Sequence, residues 1–170
     1  QWIQNKKCCI NVQNADQDCF RYAVTVAVDK PDIHPERPFY YNADERKQLF
    51  NLRGIEMPAK CSSETFKRFE KQNPEYSITV FECPSDSIGR DELQPVYVGD
   101  DMREQRITLI LLYDEQRNSH YITVMDIGKL LRGRSHNEEA HCVRCLYCFA
   151  GVDAKLRLEQ HRTECRGING

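Results

Sequence analysis

The sequence predicts an α+β fold, because helix-like segments come first in the chain and a run of strand-like segments follows them. Apolar residues at helical spacing begin at Phe20, and segments rich in β-branched and aromatic residues lie between positions 77 and 127. Hydrophobic residues make up 40% of the chain and charged residues 29%, as in a globular domain with one core. No apolar run approaches the roughly 18 residues of a membrane span, so we expect no membrane partner.

A strand followed by a helix is predicted at the start of the chain. Residues 8–13 suit a short strand, and the loop at 14–16 leads out of it. The helix presents one apolar face, formed by Phe20, Ala23, Val24, Ala27 and Val28. Asp16, three residues before Cys19, is predicted to be its N-cap. The β-branched residues in this segment would also suit a strand.

Three prolines between residues 31 and 38 predict an extended connection after this helix. Residues 43–52 suit a short helix. A further helix is predicted, with Ser62 or Ser63 as its N-cap. Its inner face carries Phe66 and Phe69.

The second half of the chain contains the predicted strands, and we expect them to form a central antiparallel sheet. They are 77–82, 96–98, 107–113 and 121–127. The last two are separated by a polar turn and are expected to pair with each other. Residues 1–132 then form the main domain, 133–140 a polar linker, and 141–166 a small C-terminal unit.

A cysteine, a histidine and a carboxylate form a candidate catalytic set. Cys19 lies in the first turn of the predicted helix, where unpaired N–H groups stabilise a thiolate. His120 lies on a predicted strand, and Asp126 follows six residues later. Because six is even, both side chains are expected on one face of that strand. Cys19 is therefore the predicted nucleophile, His120 the base, and Asp126 the acid that orients the imidazole.

The oxyanion of such a reaction needs hydrogen-bond donors. The backbone N–H of Cys19 is one candidate. A side-chain amide is a second, and either Asn14 or Gln13, five and six residues before the cysteine, fits this role.

The C-terminal unit carries a zinc signature. Cys142 and Cys145 are followed by His161 and Cys165, a spacing typical of a closed tetrahedral site. Four protein ligands indicate a structural zinc ion in a C2HC finger, with Cys148 and His141 as alternative ligands. A structural or protein-docking role is expected first. Nucleic-acid binding comes second and would be weak, since a single finger buries little surface.

The cysteine count bears on the compartment. Nine cysteines, an odd number, argue against a simple disulfide framework and indicate a reducing intracellular setting, cytoplasm or nucleus. The C-terminal residues 129–170 carry a net charge of +3 and the remainder −5, which fits two parts with different roles. We expect a monomer that is a segment of a longer protein.

Four blocks of sequence resemble a domain of animal Maverick/Polinton-type mobile elements. They are 14–20 (Asn-Ala-Asp-Gln-Asp-Cys-Phe), 52–58 (Leu-Arg-Gly-Ile-Glu-Met-Pro), 69–74 (Phe-Glu-Lys-Gln-Asn-Pro) and 118–121 (Asn-Ser-His-Tyr). Their order covers nearly the whole chain. In those elements the domain is typically encoded upstream of a type-B DNA polymerase and is followed by a cysteine-rich finger.

That domain is similar to the papain-like cysteine proteases related to herpesviral large tegument deubiquitinases. The resemblance implies a papain-like fold and cleavage after the C-terminal Gly-Gly of ubiquitin or polyubiquitin. It implies Cys19 as nucleophile, His120 as base and Asp126 as acid, and it favours Asn14 over Gln13. The herpesviral enzymes place the acid two residues before the histidine, where this chain has Asn118, so Asn118 is an alternative third member.

Two other functions compete with a deubiquitinase. One is a cysteine protease that processes a polyprotein of the element, and the other is a zinc-finger binding module whose Cys-His pair is structural. The stretch 84–101 has a net charge of −4, which would suit the basic face of ubiquitin or would simply form a solvated loop.

Overall fold

The computed structural model describes most of the main domain and parts of the C-terminal unit. The described residues are 7–83, 93–99, 103, 105–113, 118–131, 143–144, 151–152, 160–161 and 163–165. The predicted linker 133–140, most of the acidic stretch 84–101, and the candidate ligands Cys142 and Cys145 lie outside them. The domain boundaries stay predictions.

Five strands form one mixed sheet. In chain order they are β1 (Cys9–Ile10), β2 (Tyr76–Glu82), β3 (Gln94–Val98), β4 (Gln105–Tyr113) and β5 (Ser119–Val124). Their spatial order is β1-β5-β4-β2-β3. The predicted pairing of the last two strands is confirmed, since β4 and β5 run antiparallel with Leu112 opposite His120. The predicted all-antiparallel sheet is wrong, because β2 and β4 run parallel.

Four α-helices and one 3-10 turn accompany the sheet in the described residues. The helices are α1 (Cys19–Val28), α2 (Asp44–Lys47), α3 (Ser63–Gln72) and α4 (Ile127–Leu131), and the 3-10 turn is Pro38–Tyr41. Ser62 caps α3 by accepting a 3.2 Å hydrogen bond from Thr65 N. One of the two predicted caps of that helix is thereby confirmed.

Helices α1 and α3 pack on one face of the sheet. The fully buried Phe20 lies at the centre of this core, with its ring centroid 5.2 Å from that of Tyr121 and 5.8 Å from that of Phe69. A hydrogen bond of 2.6 Å from Thr123 Oγ1 to Ala23 O ties the middle of α1 directly to β5. These contacts fix the N-terminal end of α1 beside the first residues of β5.

The opposite face of the sheet carries a second apolar cluster. Ile110 and Ile122 pack there with Leu130 of α4 and with Cys8, which precedes β1. The sheet is thus covered on both faces, and the consecutive β5 residues Tyr121 and Ile122 belong to different clusters.

Several predicted boundaries differ from the structure. The strand predicted at 8–13 is limited to β1, and the helix predicted at 43–52 is limited to α2. The strand predicted at 121–127 ends at Val124, and α4 begins at Ile127.

The described part of the C-terminal unit contains a small hairpin. Strand β6 (Val143–Arg144) pairs antiparallel with β7 (Gly151–Val152), and residues 160–161 and 163–164 are helical. Among the described residues, no helix has both the length and the apolar character that crossing a membrane requires.

Candidate active site

Cys19 is the first residue of α1 and is 5% exposed. Burial raises the pKa of its thiol above the ordinary value, and the nearby Asp16 carboxylate adds to that effect. The backbone N–H groups of Tyr121 and Phe20 act in the opposite direction, because they stabilise the thiolate. The resting sulfur is therefore a buried thiol beside backbone groups that can receive a negative charge.

The loop before Cys19 is organised around Asp16. The Asp16 Oδ1 atom accepts hydrogen bonds from Asn14 Nδ2 at 2.9 Å and from Asp18 N at 3.1 Å. The Tyr22 hydroxyl lies 2.9 Å from Asp16 Oδ2. Asp18, and not Asp16, occupies the N-cap position of α1, so the predicted capping role of Asp16 is wrong. The carboxylate instead fixes the turn that delivers the chain into the helix.

Asn14 uses its amide group within this loop. Its Nδ2 donates to Asp16 O at 2.8 Å as well as to the Asp16 carboxylate, so both amide hydrogens are engaged. Its buried Oδ1 has no hydrogen-bond partner among the described residues, and an oxygen acceptor does not stabilise an oxyanion. The structure therefore does not present the Asn14 amide as a free donor. The side chain of Gln13 is exposed, and among the described residues it has no hydrogen-bond partner.

Arg21 clamps the start of α1 to the segment 38–42. Its guanidinium donates to Asp18 Oδ2 at 3.1 Å, to Tyr41 O at 3.0 Å and to Asn42 Oδ1 at 3.3 Å. Arg21 is only 9% exposed, and burial of its charge is compensated by hydrogen bonds to these three acceptors. The nucleophile candidate thus stands on a well-connected support.

His120 is half-buried in the second position of β5. Its Nε2 lies 2.7 Å from Asn11 Oδ1, and burial lowers the pKa of the imidazole. Tyr121 packs in the core beneath α1, so the alternation of the strand directs His120 to the other face. Leu112, directly opposite His120, packs against the cluster on that face.

Cys19 approaches β5 at the backbone of Tyr121, the residue after His120. Met125 N donates to Cys8 O at 2.8 Å, so the N–H groups of alternate β5 residues, 123 and 121 included, point toward β1. Pairing with β1 ends at Ile10 and Thr123, which leaves the N–H of Tyr121 for the Cys19 sulfur. The thiol therefore lies against the residue that follows His120. The structure does not show a hydrogen bond between Cys19 and the His120 ring, two described residues.

Asp126 does not share a strand with His120, so that prediction is wrong. Its Oδ1 accepts a 2.9 Å hydrogen bond from Lys129 N, and its Oδ2 lies 3.3 Å from Lys129 Nζ. Because β5 ends at Val124, the even spacing from His120 does not carry over to Asp126. The carboxylate caps α4, and the partner of the His120 ring is Asn11.

Asn11 is the site residue that the sequence did not predict. It lies 109 residues before His120, just after β1. Its proximity depends on the antiparallel register of β1 and β5, in which Ile10 lies opposite Thr123. Without that register, the sequence gives no reason to place Asn11 beside His120.

The candidate zinc ligands are described only in part. His161 and Cys165 are half-buried, and Cys142 and Cys145 lie outside the described residues. Within the part of the chain that the structure describes, no group of three or more His, Cys, Asp or Glu side chains could hold a metal ion. The four-ligand site stays a prediction.

Comparisons with family models, with curated proteins and with solved structures find no match to this chain.

Proposed function

We propose that this chain is a deubiquitinase: a thiol protease that hydrolyses the isopeptide or peptide bond after the C-terminal Gly-Gly of ubiquitin. The observation that carries the proposal is the position of Cys19, at the N-terminus of α1 and against the backbone of the residue following His120. A helix N-terminus is where a thiolate is stabilised, and His120, which precedes Tyr121 in β5, is the proposed base. The resemblance of the four sequence blocks supports ubiquitin as the substrate and a papain-like fold.

The proposed reaction uses one proton relay. Cys19 Sγ gives its proton to Nδ1 of His120, and the thiolate attacks the carbonyl carbon of the ubiquitin terminal glycine. The tetrahedral oxyanion collapses, the C–N bond breaks, and His120 returns the proton to the departing amine. Water then attacks the thioester while His120 takes its proton, the C–S bond breaks to release ubiquitin as its carboxylate, and His120 returns the proton to the Cys19 sulfur.

The oxyanion in this scheme is stabilised by the backbone N–H of Cys19 and by a side-chain amide. Because both amide hydrogens of Asn14 bind Asp16, the exposed amide of Gln13 is the better candidate. Asn14 then acts indirectly, as a support of the loop that carries the nucleophile.

Catalysis requires the His120 ring to turn toward the sulfur. Burial favours the neutral forms of both groups, so no thiolate–imidazolium pair holds the two side chains together before substrate arrives. Catalytic hydrogen bonds in free enzymes are often long and tighten only with substrate bound. The β1–β5 pairing ends at Ile10 and Thr123, so Tyr121 and His120 lie beyond it.

A ubiquitin probe with a C-terminal propargyl group tests the proposal. We expect an adduct of one ubiquitin mass on the wild-type protein, lost in Cys19→Ala and retained in Cys61→Ala. Cys61 is the matched control, because its thiol is exposed on the same domain. Absence of the adduct from folded, zinc-loaded protein would overturn the assignment. If Cys19 nevertheless cleaves peptide substrates, the chain is a polyprotein-processing protease.

We also propose that Cys142, Cys145, His161 and Cys165 bind one structural zinc ion. The strand–strand–helix order of β6, β7 and the helical residues 160–161 and 163–164 is typical of a small zinc finger and supports the proposal. Four thiolate and imidazole ligands close the site, so the metal would stabilise this unit and take no part in hydrolysis.

Metal analysis tests this second proposal. One zinc ion per chain is expected in wild type and in Cys61→Ser, and less than half of that in Cys165→Ser. Chelation of the zinc should remove the helical signal of the C-terminal unit, since small zinc units fold with their metal. Equal metal content in the two variants would contradict the ligand set.

A non-catalytic zinc-finger binding module is the second candidate function. It is favoured by the 5% exposure of Cys19 and by the orientation of His120 to the other sheet face. It predicts a Cys19 thiol that reacts with no ubiquitin probe, and binding of protein or nucleic acid that depends on zinc.

An intracellular location is proposed for either function. The proposal rests on the odd number of cysteines, nine, which argues against a simple disulfide framework.

A further inference from the structure

The hydrogen bond between Asn11 and His120 joins two residues 109 positions apart. Asn11 follows β1 at the edge of the sheet, and His120 is the second residue of the neighbouring β5. At 2.7 Å, the contact between Asn11 Oδ1 and His120 Nε2 is short for a neutral N–H···O bond. Both residues are half-buried, so water competes for this bond less than it would at a fully exposed site.

The identity of the acceptor fixes the tautomer of the ring. An amide oxygen only accepts, so Nε2 must carry the hydrogen and Nδ1 must carry the lone pair. Among the described residues, Nδ1 has no hydrogen-bond partner. The ring thus presents its basic nitrogen away from Asn11, and that nitrogen is available to a thiol.

We propose that Asn11 is the positioning residue of His120: it holds the neutral ring in the Nε2–H tautomer and leaves Nδ1 to accept the proton of Cys19. This role rests on the proposed thiol hydrolysis. The orienting residue then comes from the strand before the nucleophile, and not from Asn118 or Asp126 near the histidine.

The alternative carboxylate is occupied elsewhere. Asp126 binds the backbone and the ammonium group of Lys129 at the start of α4. A neutral amide at Nε2 has a consequence that a carboxylate would not have. It fixes the tautomer without strongly favouring the imidazolium, whereas a carboxylate at the same atom would raise the pKa of the ring. Burial is the cause that acts on that pKa, and it acts downward.

The tautomer is measured directly from ring nitrogen shifts in ¹⁵N-histidine-labelled protein, with His120→Gln used to assign the signals. Wild type should show a protonated Nε2 and a bare Nδ1. Asn11→Ala should show a mixture of tautomers. Asn11→Asp should restore the Nε2–H tautomer and raise the midpoint of the His120 titration, and Asp126→Asn should leave the ring shifts unchanged.

Kinetics with a ubiquitin C-terminal aminocoumarin amide provide the second readout. In Asn11→Ala, kcat should fall about tenfold with KM unchanged, the factor expected for loss of one hydrogen bond. In Asn11→Asp, kcat should recover and the acid limb of its pH profile should move to higher pH. A purely structural role would move neither the tautomer nor the acid limb.

The outcomes separate this role from the proposed function. If Asn11→Ala is folded and keeps the wild-type ring shifts, or if Asp126→Asn alone changes them, the positioning role is wrong. If the ring shifts respond as expected but no variant, wild type included, cleaves the substrate, the positioning holds and the hydrolase proposal fails. If Asn11→Ala does not fold, the isosteric Asn11→Asp still decides through the His120 titration midpoint.

Discussion

The two faces of β5 hold their candidate catalytic residues in different ways. Beneath α1, Cys19 is buried at the head of a helix whose approach is fixed by the Asp16 carboxylate and the Arg21 guanidinium, each with several partners. On the other face, the ring of His120 forms one hydrogen bond with the described residues, to Asn11. Cys19 is thus positioned by a network of hydrogen bonds, and His120 by its contact with Asn11.

This difference separates stability from chemistry. When one hydrogen bond around Asp16 is removed, the other partners of the carboxylate remain, so we expect the loop to stay in place at a cost of about 1 kcal/mol. A ring held at one atom can turn about that atom, which is the motion that would bring His120 to Cys19. We therefore expect substitutions beneath α1 to change mainly the free energy of unfolding, and substitutions around Asn11 to change mainly the reaction.

The largest effect is expected from Phe20→Ala, which opens a cavity where α1 meets β5 and α3. The ring is fully buried against Tyr121 and Phe69, so the free energy of unfolding should fall by about 3–5 kcal/mol. Urea unfolding followed by circular dichroism measures this loss. Val28→Ala, 37% exposed on the same helix, should cost well under half as much. Equal losses would contradict the assignment of the core to this face.

A smaller effect is expected when one bond of the loop network is removed. In Tyr22→Phe, the hydroxyl that lies 2.9 Å from Asp16 Oδ2 and 3.0 Å from Asn42 Oδ1 is lost. The free energy of unfolding should fall by about 1 kcal/mol, and the ring shifts of His120 should not change. Tyr40→Phe is the matched control, since in the described structure the Tyr40 hydroxyl forms no hydrogen bond. A change at His120 in Tyr22→Phe would show that the two faces are coupled.

Local patterns predicted the parts of this fold whose causes are local. The cap of α3 is predictable because it depends on neighbouring residues: Ser62 accepts from the backbone N–H of Thr65, three residues later. The β4–β5 pair was predictable because two apolar runs flank one polar turn. The parallel pairing of β2 with β4 was not predictable in the same way, because β3 pairs beyond β2 at the sheet edge and β4 returns on the other side.

The residues of the candidate site likewise differ in whether their positions depend on local or on long-range structure. Cys19 and His120 are recognised by residue type and setting, and the structure places them at one end of the sheet. Strand periodicity predicts Asp126 as the acid that orients His120, and this prediction fails because β5 ends at Val124. Asp126 instead lies three residues before Lys129, which is the spacing of an N-cap interaction. Asn11 needed the register of β1 with β5, a long-range property that no short pattern encodes.

The smallest expected effect concerns the charge beside the nucleophile. Burial and then the Asp16 carboxylate raise the pKa of Cys19, so its rate of alkylation by iodoacetamide should reach half of its maximum at a higher pH than that of an exposed peptide cysteine. Asp16→Asn removes the negative charge and keeps an acceptor for Asn14, so the midpoint should move to lower pH while burial keeps it above the peptide value. Asp29→Asn, which removes a carboxylate bound to Arg46 at the other end of α1, should leave the midpoint in place. If both variants shift the midpoint equally, the effect reflects the net charge of the protein. The position of Asp16 in the loop before Cys19 would then have no particular influence on the pKa of the thiol.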